Sequence, residues 1–185
     1  MSNLTAAEKE QIQYYRNLKR RKPEKIQIPG EGQESVWDYP RPPAIKLDER
    51  EIRIEVGGIL VACSRNALRV LETASPPVYY LPPGDIQMEL LSRNKAHSLC
   101  EWKGRAGYWD LRVSDRRIES AAWSYDSPLD GYEALQGYLA FYAAKMDRCL
   151  VGELNVEPQP GDFYGGWITV DIVGPFKGER GTLAW

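Results

Sequence analysis

Histidine is almost absent from this chain: His97 is the only one in 185 residues. A histidine-based zinc site needs a second ligand of that kind nearby, so none is expected. The cysteines, Cys63, Cys100 and Cys149, are odd in number and far apart, with no Cys-x-x-Cys pair. That excludes a disulfide framework and a thiolate zinc site and fits a reducing compartment. Such counting does not bear on a magnesium ion held by carboxylates and water. Apolar runs reach only about five residues, against the roughly 20 of a membrane-spanning helix. The opening MSNLTAAEKEQ lacks the apolar segment of a signal peptide, so a cytoplasmic location away from membranes is expected. Neither sign of charge is in large excess, with a net charge of −2 and a pI of about 5.6. Without a global basic field, nucleic acid is not an expected partner. Catalytic motifs of known mechanism are missing. GPFKGERGT near the end is not a nucleotide P-loop, because it lacks the G-x-x-x-x-G-K-[ST] order and has no following helix to receive phosphate. No cofactor is assigned.

What the chain does have is polar aromatic rings: 11 tyrosines and 6 tryptophans against 3 phenylalanines. Many fall in three runs, ETASPPVYYLPP, SLCEWKGRAGYWDLRV and AAWSYDSP, punctuated by Pro and Gly. Short aromatic runs broken this way build strands whose rings share one core or line one pocket. The expected fold class is α+β, mainly β: compact antiparallel hairpin and meander sheets, curved or barrel-like, with a few flanking helices. With 43% hydrophobic residues the chain can fill one core. Three parts are expected: an N-terminal helix and linker over 1–33, a β-rich domain over 34–150, and a C-terminal strand with a Gly-rich aromatic tail over 151–185.

Thr5-x-x-Glu8 reads as a capping box for a helix running toward Lys22 and stopped by Pro23. Arg16, Lys19, Arg20, Arg21 and Lys22 crowd its C-terminal end, either as an electrostatic handle or as a solvated end that suits the helix dipole. Residues 23–43 read as a linker lying against the domain rather than as core. Ile52, Ile54 and Val56 alternate with Arg53 and Glu55, and Gly57-Gly58 turns the chain into 59–62, the clearest hairpin. Ser64 is placed as the cap of a short helix with Ala67, Leu68 and Leu71 on one face. Another short helix is expected from Asp85. Strands follow at 98–102, 108–113 and 118–125 as an antiparallel meander with turns at 104–107 and 114–116. Leu135, Leu139, Tyr142 and Met146 recur at helical spacing, predicting a long amphipathic helix within 128–150. A strand over 167–173 precedes the tail.

The runs RVLETASPPVYYLPPGD, CEWKGRAGYW and AAWSYDSP, followed by an aromatic helix over 137–142, resemble the bacterial and fungal domain-of-unknown-function family 427 in order and spacing. The resemblance covers about residues 35–142. It implies a compact β-rich domain of hairpins with a few helices, and no established activity. Some members carry a nucleotidyltransferase label, yet this chain shows no nucleotidyltransferase motif. The ending over 167–185 resembles tails of cyanobacterial members.

Lys103 stands beside a turn, next to Trp102 and near Tyr108 and Trp109. Held among rings it would be desolvated and its pKa lowered, ready as a base, nucleophile or anion anchor. The plain reading is a structural cation–π contact of about 0.5–2 kcal/mol. Glu72, at the end of the predicted helix, forms with Lys103 either an acid–base pair or a buried ion pair. Cys100 is either a thiol nucleophile, if the turn brings it to Lys103, or a buried structural cysteine. His97 lies three positions away on the opposite strand face, which disfavours a Cys–His pair. Tyr79 and Tyr80 face opposite ways, so one should point inward. Tyr108 reads as a pocket residue and Trp109 as core. Trp123 and Tyr125 share a face with Ala121, whose small side chain would leave room for a ring-lined slot, unless the rings are simply core.

The leading reading is a binding module holding a small polar or anionic molecule with Lys103, Tyr80, Tyr108, Trp123, Tyr125 and Trp102. One rival is a hydrolase or transferase using Lys103 and Glu72, with Cys100 as a further candidate. The other is an interaction protein working through its basic N-terminal helix and its C-terminal tail, where Phe176 and Trp185 offer anchors for a second copy or another protein.

Overall fold

The computed structural model describes residues 4–182 and 184–185. Thr5 and Glu8 close a reciprocal capping box that opens helix α1 (Ala6–Arg16). The helix stops at Asn17, short of the expected Lys22, and Ile12 is its only buried residue. Strands then follow as β1 (Glu34–Ser35), β2 (Ala44–Asp48), β3 (Ile52–Val56), β4 (Ile59–Ser64), β5 (Ala67–Glu72) and β6 (Ser75–Leu81). The central meander is β7 (Leu91–Cys100), β8 (Gly104–Val113) and β9 (Arg116–Ser124). Shorter strands complete the chain: β10 (Leu139–Phe141), β11 (Arg148–Val151), β12 (Leu154–Asn155), β13 (Glu157–Pro158), β14 (Trp167–Ile168) and β15 (Ile172–Val173).

The main sheet has seven strands in the order β2-β5-β6-β10-β9-β8-β7, and it is open rather than a closed barrel. A four-stranded sheet, β12-β11-β3-β4, carries the hairpin read from the alternation of Ile52, Ile54 and Val56. Leu81, Leu111, Leu139 and Phe141 of the large sheet pack against Ile54, Val61, Cys149 and Val151 of the small one, forming the first core. Alternation along the same strands sends Tyr80, Trp123 and Ala140 to the opposite face, where they form a second core with Val70, Tyr125, Tyr132 and Leu135.

Covering both faces of one sheet overturns several helix expectations. The segment after Ser64 is strand β5, since residues buried on both faces lose the period of two that marks a half-exposed strand. Within 128–150 there is no long helix: 3-10 turns at Glu133–Leu135 and Ala143–Lys145 alternate with β10 and β11. Gly131 and Gly137 sit at φ of +89° and +76°, which breaks a right-handed helix twice. The helix expected from Asp85 is a pair of 3-10 turns, Pro83–Asp85 and Met88–Leu90. The strand expected over 167–173 is two short pieces, β14 and β15, and the first meander turn lies at 101–103. Residues 23–43 are not all linker. Val36, Trp37 and Tyr39 are buried with Leu71, Ala74 and Ile172 in a third core, and β1 pairs with β15 in parallel.

Candidate functional site

A cavity of about 590 Å³ lies on the second face of the large sheet. Its floor is strand residues: Val70 and Glu72 of β5, Val78 and Tyr80 of β6, Ala106 and Tyr108 of β8, and Trp123 of β9. The turn 101–103 supplies one wall. Arg16 donates to the Glu101 carbonyl at 2.8 Å, Arg20 pairs with the Glu101 carboxylate at 3.2 Å, and the Lys103 carbonyl accepts from Leu129 at 3.1 Å. Arg16 at the end of α1 and Arg20 just beyond it therefore clamp this turn. Gly104, at φ +94°, lets the chain leave the turn as β8.

The structure brings Lys103, Glu72, Cys100, Tyr80, Tyr108, Trp123 and Tyr125 to this one cavity. Trp102 is outside its wall and lies beneath the Arg16 guanidinium, 5.1 Å from the ring centre. Both Tyr79 and Tyr80 are buried, one in each core, because both sheet faces are covered. The room beside Trp123 does not come from Ala121. The register of β9 shifts opposite Trp109 and Leu111, with Ser120 at φ +48°, and this bulge puts Ala121 into the first core. His97 is not in the cavity wall.

Trp123 donates its indole N–H to the Tyr80 hydroxyl at 3.1 Å, and Tyr108 shares a 2.8 Å hydrogen bond with Ser98. The Trp123 ring also lies 4.5 Å from that of Tyr142. Burial pushes the Tyr80, Tyr125 and Tyr142 phenols up, so all stay protonated at neutral pH.

Lys103 is only 8% exposed. Burial alone would lower its ammonium, as expected from sequence, but the Cys100 thiol, the Tyr80 phenol and the Glu72 carboxylate outweigh that and raise it. The expectation of a lowered lysine is thus corrected by its polar neighbours. Glu72 does not make a contact pair with Lys103; its partner is Arg41. Burial pushes the Glu72 carboxyl up, and Lys103, Arg41 and Lys177 together hold it below its ordinary value.

Lys177, from the tail, is a cavity residue that sequence reading missed, as are Tyr142, Gln159, Phe163 and Tyr164. Lys177 is 6% exposed, and its ammonium stands 5.0 Å from the centre of the Tyr164 ring. Its backbone N–H donates to Ala74 at 2.7 Å and its carbonyl accepts from the Gln159 side chain at 2.7 Å, so the residue is fixed at the end of β5. Burial, with Arg20 nearby, lowers the ammonium to about 8. Phe176-Lys177-Gly178 repeats the aromatic-Lys-Gly order of Trp102-Lys103-Gly104, a local signal that could have found it. The tail crosses the cavity through Gly165, where a Cβ would come within 2.2 Å of the Trp123 ring.

Among the described residues no group of three or more His, Cys, Asp or Glu side chains could hold a metal ion. No helix of the described residues is long and apolar enough to cross a membrane. A family model described as a domain of unknown function (DUF427) matches residues 44–152. No curated protein matches the chain.

Proposed function

The chain belongs to the DUF427 family, and we propose that this member binds a small anionic molecule in the ring-lined cavity of its large sheet. One observation carries the reading: Lys103 is buried in the wall of a cavity of about 590 Å³ with no carboxylate at ion-pair distance among the described residues. Taking an ammonium group out of water costs on the order of several kcal/mol. The Cys100, Tyr80 and Glu72 groups around Lys103 keep it charged, and a bound anion would give that charge the contact partner that Glu72, paired with Arg41, does not provide. Tyr80, Tyr108, Trp123 and Tyr125 add flat apolar walls with hydroxyl donors.

Glu72 and Cys100 line the same cavity, which is what an enzyme reading would need. Proton transfer at neutral pH nevertheless favours groups titrating near that pH. Glu72 is held low and Lys103 high, so both stay charged there. The interaction reading draws less support, because the terminal anchors are used within the chain. Trp37 donates to the Pro175 carbonyl at 2.9 Å and stacks edge-on with Trp185. Three free cysteines suit a reducing compartment such as the cytoplasm.

Native mass spectrometry of gently purified protein, beside the Lys103→Met variant, tests the reading. A retained small mass present in the wild type and lost in the variant is the expected result. The same mass retained equally by both proteins would overturn the role of Lys103. Conversion of the retained compound over time, abolished by Glu72→Gln, would move the assignment to an enzyme.

A further inference from the structure

Two lysines, not one, are buried in this cavity, and neither has a carboxylate at ion-pair distance among the described residues. Three cations line this space, Lys103, Lys177 and Arg20, and Arg41 pairs with the lining carboxylate Glu72. Among the described residues of its wall there are two carboxylates, and each already has its own contact, Glu72 with Arg41 and Glu101 with Arg20. The cavity thus carries an excess of two positive charges, located on the two lysines. Glu72, Lys103 and Lys177 line the same cavity, and the backbone bond of Lys177 to Ala74 holds it at the end of β5 that carries Glu72. Aromatic walls face this end: Tyr80 and Trp123 from the sheet, Tyr164 from the tail.

We propose that the cavity takes a ligand bearing an aromatic ring and a doubly charged anionic group such as a phosphate monoester, with Lys103 and Lys177 as paired anchors. This rests on the anion-pocket reading above and deepens it. Lys177 lies outside the segment matched by the family model, which ends at residue 152. The second charge is therefore a contribution of the C-terminal segment, and with it the preference for a dianion over a monoanion. The α1 side of the cavity, lined by Tyr15 and Leu18, also lies outside that segment. Selectivity is built by the parts of the chain that flank the family domain.

The probes are phenyl phosphate, benzoate and phenol, which offer the same ring with two, one and no negative charges near pH 7.5. Binding is followed by calorimetry and by quenching of tryptophan fluorescence, since Trp123 is in the wall. Phenyl phosphate is expected to bind the wild type at least about tenfold more tightly than benzoate, the scale of one charge-assisted contact. That ratio should collapse toward unity in Lys177→Met and recover in Lys177→Arg, which also separates loss of charge from loss of fold. Equal affinity for phenyl phosphate and benzoate, or a ratio unchanged in Lys177→Met, would overturn the dianion inference while leaving the anion pocket standing. Binding of none of the three probes would overturn both readings, and phenol binding as tightly as phenyl phosphate would do the same.

Discussion

Trp123 and Tyr80 are hydrogen-bonded at 3.1 Å although their strands are not neighbours. Ala140 on β10 lies between them and is the register partner of both. Only a side chain as small as a methyl group lets two rings meet above it, edge to face with centres 6.2 Å apart. The short strand β10 thereby acts as a spacer that joins the rings of two hairpins into one cavity floor.

Ala140→Leu should force these rings apart. Overpacking of this kind costs about 1–3 kcal/mol, read as a lowered midpoint in urea unfolding, together with a red-shifted tryptophan emission as Trp123 loses its partner. An unchanged midpoint and spectrum would mean that the space above Ala140 is not what brings Trp123 to Tyr80.

Glu72 predicts an acid limb of stability. A carboxyl held below its ordinary value contributes stability that is fully present above the unfolded value and lost as pH falls through the folded one. The difference in unfolding free energy between wild type and Glu72→Gln should be constant near neutral pH and shrink as pH falls below about 4.5. A difference that stays level down to about pH 3 would remove the charged role assigned to this residue.

Lys177 predicts the opposite limb. Its folded value is about 8, whereas an unfolded lysine titrates near 10.4. Between these the unfolded chain holds more protons, so this group raises stability as pH increases, and below about 8 the buried charge acts at its full cost. Relative to Lys177→Met, the wild type should gain stability between about pH 8 and 10. Cys149, pushed up to about 12 by burial, works the other way above its ordinary value but is common to both proteins and cancels. A flat difference curve would show that the Lys177 ammonium is solvated.

The thiols should react in a fixed order with an aromatic disulfide reagent. Cys63 is exposed and comes first; Cys149 is buried and should wait for unfolding. Cys100 lies in the cavity wall, so its rate should fall when phenyl phosphate is present while that of Cys63 does not change. Equal slowing of both thiols would point to general stabilisation rather than to occupancy of the cavity.

What the sequence determined by itself was whatever neighbouring residues encode. The alternation of Ile52, Ile54 and Val56 and the Gly57-Gly58 turn give the β3–β4 hairpin, and Thr5 with Glu8 gives the start of α1. The aromatic runs place Tyr80, Tyr108 and Trp123 on strands, where alternation assigns each a face. Tertiary structure decided the rest. Leu139, Ala140 and Phe141 sit in the middle of a sheet covered on both sides, where every position is apolar and spacing no longer separates strand from helix. The bulge at Ser120 moved Ala121 to the other core, a change of facing that a strict period of two does not contain. Lys177 joins Glu72 in the cavity wall only because the tail returns to the end of β5 and bonds to Ala74 there. Local patterns record which way a side chain points from its own strand; the charge of a cavity depends on which distant segments the fold lays over it.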